Sequence, residues 1–399
     1  MSTTVCAIVP TYNRAHLIGE CLDSLLCQTR PLSEIIVVDD GSTDTTRATL
    51  DRYAARVRIL RQPNSGKAAA LNRALSEASS DYVWICDDDD VAEPYACAEL
   101  AGALDADPAA AFAYGRFRRF RDTHDAREIL PMSYWPQQHE AALFLALLER
   151  CFIFQFSSMV RRSLYAEVGL FDPTMLRSQD YEMCLRMARR HRGAYVAKDL
   201  FLQRQHDGAR GANSDRFTVD ASASKWVEYD RRMLKRLRAE VTLDELTPPF
   251  ARTLIKERSE RAALLQRACI CGRHAMWDET VADLEQACAL MPTASASPDE
   301  LAIAERTLIE ADMVDHLVTD QASIDRMAKA VRDSVFGRSI AASLAAPLFW
   351  QVRSCIATRQ GMAAWRRLRL LTALGGAHHL FGRGVVLALR RLRGSHSIS

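Results

Sequence analysis

Tyr82-Val83-Trp84-Ile85-Cys86-Asp87-Asp88-Asp89-Asp90 joins an apolar run directly to four consecutive carboxylates. Tyr82 to Cys86 has the length and unbroken apolarity of a strand buried on both faces. The four acids repel one another and have poor strand propensity, so they end the strand rather than extend it. Carboxylates just past the carboxyl end of a strand stand where open α/β sheets bind ligands, and oxygen donors suit a hard divalent cation such as Mg²⁺ or Mn²⁺. A solvated acidic turn, or a helix start stabilised by its dipole, accounts for these four residues equally well. Their neighbours in the sequence decide between the two.

Upstream, Val5 to Val9 is a second apolar run, stopped by Pro10, and Asn13 is placed to cap a helix in which Leu17, Ile18, Cys21, Leu22, Leu25 and Leu26 recur at helical spacing. Glu34 to Val38 reads as another buried strand, ending in Asp39-Asp40-Gly41-Ser42-Thr43-Asp44 ahead of a helix to about Ala55. Val57 to Leu60 is a short strand, and Gly66 to Ser79 an Ala-rich helix that leads back to Tyr82. Strands and helices alternating at this interval form βαβ units with right-handed crossovers. That layout brings Thr11-Tyr12, Asp39-Asp40 and Asp87 to Asp90 to the carboxyl ends of parallel strands around one crevice. Neither Gly-x-Gly-x-x-Gly after the first strand nor Gly-x-x-x-x-Gly-Lys-Ser/Thr occurs, which argues against a dinucleotide fold and a P-loop NTPase.

In this order and spacing, Val9-Pro10-Thr11-Tyr12-Asn13-Arg14, Val37-Val38-Asp39-Asp40-Gly41-Ser42-Thr43-Asp44, Asn64-Ser65-Gly66-Lys67-Ala68-Ala69-Ala70-Leu71-Asn72 and the acidic run resemble the family-2 glycosyltransferases. These are inverting enzymes of the GT-A fold, a Rossmann-like, mostly parallel α/β sheet, and the likeness runs through roughly the first 210 residues. It implies that Pro10, Thr11, Tyr12 and Asp39 shape the nucleotide pocket, with Asp39 on the base. Arg14, Lys67, Asp87 and Asp88 then belong to the donor site, and Asp89 is the last acid of an Asp-x-Asp motif that binds the metal. Lys67 reads equally well as a phosphate partner or a solvated lysine.

Downstream, Ala111 to Phe120 reads as a strand, and Ser178-Gln179-Asp180-Tyr181-Glu182-Met183-Cys184-Leu185-Arg186 opens a helix. In the resembled family this segment carries the catalytic base, commonly as a Glu-Asp pair. Here Gln179 replaces the Glu and Asp180 keeps the position of the base, where an N-cap aspartate would also fit. Phe201-Leu202-Gln203-Arg204-Gln205-His206 resembles the family's Arg-x-His segment, which implies that His206 approaches the metal. Arg204 and Arg210 read as phosphate partners or as surface charges.

Past about Ser214 the resemblance ends. The expected organisation is a GT-A domain over 1–215, an α-helical region over 216–333 with one faint tetratricopeptide-like hairpin at Arg261 to Pro292, and a basic amphipathic tail over 334–399. From Ser334 onward the sequence holds ten Arg and no Asp or Glu, although the whole chain carries a formal charge of only +2. The tail pairs Leu344, Leu348, Phe349, Trp350, Trp365, Leu368, Leu370, Leu371 and Phe381 to Leu392 with arginines, a pattern suited to peripheral contact with an anionic membrane; packing of the same residues on the catalytic domain or a partner subunit is the alternative. No apolar run is expected to span a bilayer and no signal peptide is recognised. Eleven scattered cysteines, several in apolar runs, suggest free thiols in a reducing compartment; Cys269, Cys271, His274 and Cys288 match no common zinc spacing.

The function expected is therefore transfer of a monosaccharide from a nucleotide sugar, a UDP-sugar, to a hydroxyl of a glycan or lipid-linked acceptor. Mn²⁺ or Mg²⁺ assists, no nucleic acid is involved, and the site of action is the cytoplasm or the inner face of the cell membrane. A sugar-nucleotide nucleotidyltransferase and a catalytically silent carbohydrate-binding scaffold are the rival readings.

Overall fold

The computed structural model describes residues 3–124, 126–131, 135–136, 142–205 and 219–375, without the side chains of 219–225. The chain separates into two compact units, Met1–Tyr229 and Asp230–Ser399.

In the first unit the strands are β1 (Val5–Thr11), β2 (Glu34–Asp39), β3 (Arg58–Arg61), β4 (Tyr82–Ile85), β5 (Val91–Ala92), β6 (Ala110–Asp122), β7 (Arg127–Ile129), β8 (Ser158–Arg161) and β9 (Arg192–Arg204). They form one sheet in the order β3-β2-β1-β4-β8-β6-β9-β5, with β7 paired to β6. The β3-β2-β1-β4 half is parallel, and β8 enters antiparallel to both β4 and β6, so the sheet is mixed. The helices of this unit are α1 (Ile18–Leu26), α2 (Thr46–Asp51), α3 (Lys67–Glu77), α4 (Ala96–Ala106), α5 (Leu143–Glu149), α6 (Leu164–Val168) and α7 (Gln179–Arg190). Continuous apolar runs became strands covered on both faces: every residue of β1 and β4 is buried. Trp84 anchors the core, edge-on to Phe201 at 5.8 Å, with its indole N–H donated to the Phe156 carbonyl at 2.8 Å. At the sheet edge, β3 begins and ends in arginine, which discourages further strand pairing.

Two local expectations change. Pro10 does not stop β1 but lies within it, opposite Val38. Pairing of β1 with β4 ends at Ile8 and Ile85, so the missing N–H falls where β4 no longer needs a donor. Asn13 does not cap α1, which starts five residues later at Ile18. It adopts a positive φ of 54° and accepts instead from the Thr43 amide at 2.7 Å, tying the loop after β1 to the loop after β2.

The second unit is helical: the last part of α8 (Val219–Glu240), then α9 (Lys256–Gly272), α10 (Trp277–Ala289), α11 (Pro298–Thr307), α12 (Ala311–Leu317), α13 (Gln321–Asp333), α14 (Val335–Ala357) and α15 (361–375). Asp283, fully buried on α10, accepts from Arg238 of α8 at 2.6 Å and from Arg267 of α9 at 2.7 Å, so a buried carboxylate holds three helices together. Ser297 opens α11 with a capping box to Glu300, whose carboxylate also receives both arms of the buried Arg261 at 2.9 Å. Ser334 ends α13 and caps α14, accepting from the Gly337 amide at 2.8 Å.

Contrary to the sequence expectation, one helix among the described residues, α14, is long and apolar enough to cross a membrane by length and composition. Its inner face accounts for part of that apolarity. Phe336, Ile340, Leu344 and Leu348 are buried in the helical unit, where α14 packs on α11 and α13. Leu370, Leu371 and Arg367, assigned from the sequence to an amphipathic tail, are likewise interior residues of this unit. All eleven cysteines are free, nine of them buried.

Candidate active site

The site is built at the carboxyl ends of β1, β2 and β4, where the loops turn out of the parallel half of the sheet. Thr11 and Asp39 lie opposite each other at the ends of β1 and β2, both buried. Asp39 turns back on its own loop, accepting from the Ser42 amide at 2.9 Å. The adjacent Asp40 fixes the next loop: its carboxylate accepts from Gln62 Nε2 at 2.8 Å and from the Ser65 and Gly66 amides at 2.9 and 2.8 Å. Gly41 is required between them, because at its φ of 80° a Cβ would stand 2.7 Å from the Asn64 amide nitrogen. Asp40 therefore sets where α3 begins and where Lys67, its first residue, stands.

Lys67 is the hub. Its Nζ is 2.5 Å from Asp87 Oδ1 at the end of β4. Burial pulls the ammonium pKa down, but Asp87, Asp180 and Asp89 outweigh it and hold it above the ordinary lysine value. The same cation acts on Asp180 at the start of α7. Burial lifts the Asp180 pKa and Asp87 adds to the lift, while Lys67 opposes them, and the net direction is upward. Asp180 also accepts from the Tyr181 amide at 2.9 Å, but it is the second residue of α7 and not its N-cap, which is Ser178, so the capping role expected from the sequence does not hold.

The four acids of the opening run have distinct surroundings. Asp87 pairs with Lys67, and Asp88 is buried with Oδ1 at 3.8 Å from Arg14 Nε. Burial, then the charge of Asp89, push the Asp88 pKa up to about 7 against the pull of Arg14. Asp90 is structural: almost fully buried, it accepts from the Arg204 amide at 2.8 Å and so joins this loop to β9. Among the described residues no three His, Cys, Asp or Glu side chains converge as a ready-made cation cage.

Arg204 corrects an expectation. Its side chain is buried, donates through Nε to the Asp89 carbonyl at 2.9 Å, pairs with Glu20 and Asp122, and lies 4.6 Å from the Phe120 ring centre. It is neither a phosphate partner nor a surface charge but a strut under the acidic loop. Pro10 is buried in β1, and Tyr12 lies half-buried in the loop that follows it. His206 and Arg210 lie outside the described residues.

Several working residues escaped the sequence-based assignment. Asn72, about one and a half turns along α3 from Lys67, donates to the Phe171 carbonyl at 2.8 Å and accepts from the Phe171 amide at 3.0 Å. Arg186 of α7 holds the same segment from the other side through the carbonyls of Val168, Gly169 and Leu170 at 2.5, 3.1 and 2.9 Å. Asn72 was visible as the last residue of a quoted motif, but a partner 99 residues away leaves no local signal. Gln155 is buried just before β8, and among the described residues neither end of its amide has a hydrogen-bond partner.

Residues 6–169 match the family model described as glycosyl transferase family 2. Among curated proteins, the chain is 42% identical over 95 residues to the glycosyltransferase GlyG of Streptococcus pneumoniae serotype 4, covering 23% of this chain and 32% of that protein. It is 31% identical over 183 residues to the chondroitin synthase of Pasteurella multocida, covering 45% and 18%. An uncharacterized glycosyltransferase of Rickettsia typhi is 25% identical over 247 residues, covering 59% and 74%. The chain thus spans about a third or less of the first curated relatives it matches. Among solved structures, S. aureus TarS 1–349 superimposes with a TM-score of 0.50 at 17% identity, over 81% of this chain and 89% of that one. The same protein in complex with UDP-GlcNAc gives 0.50 at 16%, over 81% and 90%. These two likenesses are of fold, a GT-A domain followed by a helical region.

Proposed function

The chain carries a family 2 glycosyl transferase domain in its N-terminal unit, and on that premise we propose that it transfers a monosaccharide from a UDP-sugar to an acceptor hydroxyl with inversion of the anomeric centre. The observation that carries this reading is that Lys67, paired with Asp87 at 2.5 Å, also acts electrostatically on Asp180. It couples the carboxylates at the end of β4, suited to a diphosphate and its cation, to the carboxylate suited to a base.

Each residue then has a task. Pro10, Thr11, Tyr12 and Asp39 border the pocket for the nucleotide, and Arg14, through Asp88, supports its diphosphate side. Asp180 accepts the proton of the attacking hydroxyl; its raised pKa brings it nearer the working pH than an ordinary aspartate, which strengthens it as a base. Lys67 favours its ionised form against the effect of burial. The donor set fits Mn²⁺ or Mg²⁺ held by Asp89, with His206 as a candidate further ligand, because such ions are commonly bound by one or two carboxylates and the substrate's phosphates. Buried Asp88 and half-buried Asp89 repel each other and supply an excess of negative charge for it to meet. When bound, the cation neutralises the charge that develops on the departing diphosphate.

The acceptor is a glycan or lipid-linked hydroxyl, met in the cytoplasm or at the inner face of the membrane. Because a structural neighbour is a UDP-GlcNAc complex, that sugar nucleotide heads the panel to be tested. Purified protein should release UDP from one member of a UDP-sugar panel, faster with acceptor, and chelation should stop it. Release of pyrophosphate from UTP and a sugar phosphate would instead mark a nucleotidyltransferase, and no turnover with any donor a binding scaffold.

A further inference from the structure

Helices α14 and α15 each present two unlike faces. Their inner faces are interior. Gln351 donates to the Leu308 carbonyl at 2.8 Å, and Arg367, buried on α15, reaches Gln351 Oε1 at 3.3 Å and the Asp315 carboxylate at 2.8 Å. Their outer faces carry Phe349, Trp350, Ile356, Met362, Trp365 and Leu368, exposed by between 37% and 65% of their surface. Arg353, Arg359, Arg366 and Arg369 are exposed among them, Arg353 lying 5.7 Å from the Trp350 ring centre and Arg369 4.8 Å from that of Trp365.

We propose that the outer face of α14 and α15 docks on an anionic lipid bilayer, lying in the interface with its aromatic and aliphatic side chains among the acyl chains and its arginines at the headgroups. A helix with large apolar side chains and arginines on one face, tryptophans among them, suits the boundary between hydrocarbon and headgroup. Charge selects this occupant over the alternatives. A second copy of the chain would bring the same arginines against themselves. Residues 376–399 contain four more arginines and no acid, so they offer nothing to neutralise them. Anionic headgroups do, and each basic residue near such a surface raises partitioning about fivefold at low salt. Four arginines together raise it by several hundredfold. The docking is parallel to the surface, because the inner face of α14 is already filled by protein.

The inference does not depend on the glycosyl-transfer reading, and its assay needs no turnover. Full-length protein is floated with phosphatidylcholine vesicles, with and without phosphatidylglycerol, at low and high salt. Flotation with the anionic vesicles alone, lost at high salt, is expected. Trp365→Ser with Ile356→Ser, and separately Arg353→Gln with Arg366→Gln, should each reduce it at least tenfold while far-UV circular dichroism and Tm stay unchanged, since none of these side chains is interior. Absence of flotation by the parent protein overturns the proposal, as does equal flotation of both folded variants. So does concentration-dependent dimerisation abolished by the same substitutions, which would assign the face to a second copy.

Discussion

Asn72→Ala tests how the site is held together. Asn72 makes two hydrogen bonds to the backbone of Phe171, at 2.8 and 3.0 Å, and the substitution removes both. At a net contribution of about 0.5–1.5 kcal/mol each, the loss is about 1–3 kcal/mol. For a loss of about 2 kcal/mol in a unit of this size the Tm falls by about 4–8 °C. The Phe171 segment would not come free, because Arg186 still grips the three preceding carbonyls. What changes is the registry between α3, which carries Lys67, and α7, which carries Asp180. A displacement of 1 Å at reacting groups costs a factor of about 10² in rate, so kcat should fall by about 10–10². UDP affinity should hold, since the Asp39 pocket is reached by other bonds. The assay pairs thermal unfolding with kcat and calorimetric titration of UDP. An unchanged Tm and kcat would refute the clamp, and an equal loss of UDP affinity would mean that Asn72 serves the donor pocket instead.

Asp180→Asn keeps shape and the oxygen that accepts from the Tyr181 amide but cannot take a proton, so transfer should fall by about 10²–10⁴ with donor binding retained; near-normal turnover moves the base elsewhere. Lys67→Met removes the cation that favours ionised Asp180, so the acid limb of the kcat profile should move to higher pH, and an unmoved limb would separate the two residues. Asp88 binds its proton more tightly folded, at about 7, than unfolded, so its contribution to stability declines as pH rises from about 4 to about 7; Asp88→Asn should remove that slope in urea titrations across this window. Mn²⁺ should accordingly raise the Tm more at pH 8 than at pH 5, and equal shifts would place the ion away from this loop. Gln155→Met removes an unpaired buried amide and should stabilise the apo protein by about 1–3 kcal/mol in denaturant unfolding; destabilisation would reveal a partner for it.

The alternation of apolar runs with helical spacing was enough to lay out β1 to β4 and to set Asp39 and Asp87 to Asp90 at strand ends, because a buried parallel strand leaves an unbroken apolar signature and its ligand site follows from topology. Asp180 was legible by motif. What each acid does was not. Asp40, Asp88 and Asp90 read alike in sequence, yet one caps a loop, one is buried beside Arg14, and one receives the Arg204 amide. Arg204 looked like a phosphate partner, and its place beneath the acidic loop depends on Glu20 and Asp122, far away in the chain. The tail was read as one amphipathic stretch because composition cannot say which side of a helix finds a neighbour. Leu344 and Arg367 went inward and Trp365 and Arg366 outward once α11 to α13 were in place. The buried parallel strands are written in local periodicity, whereas which face of a helix is covered and what a charged side chain does are set by partners brought near only by the tertiary fold.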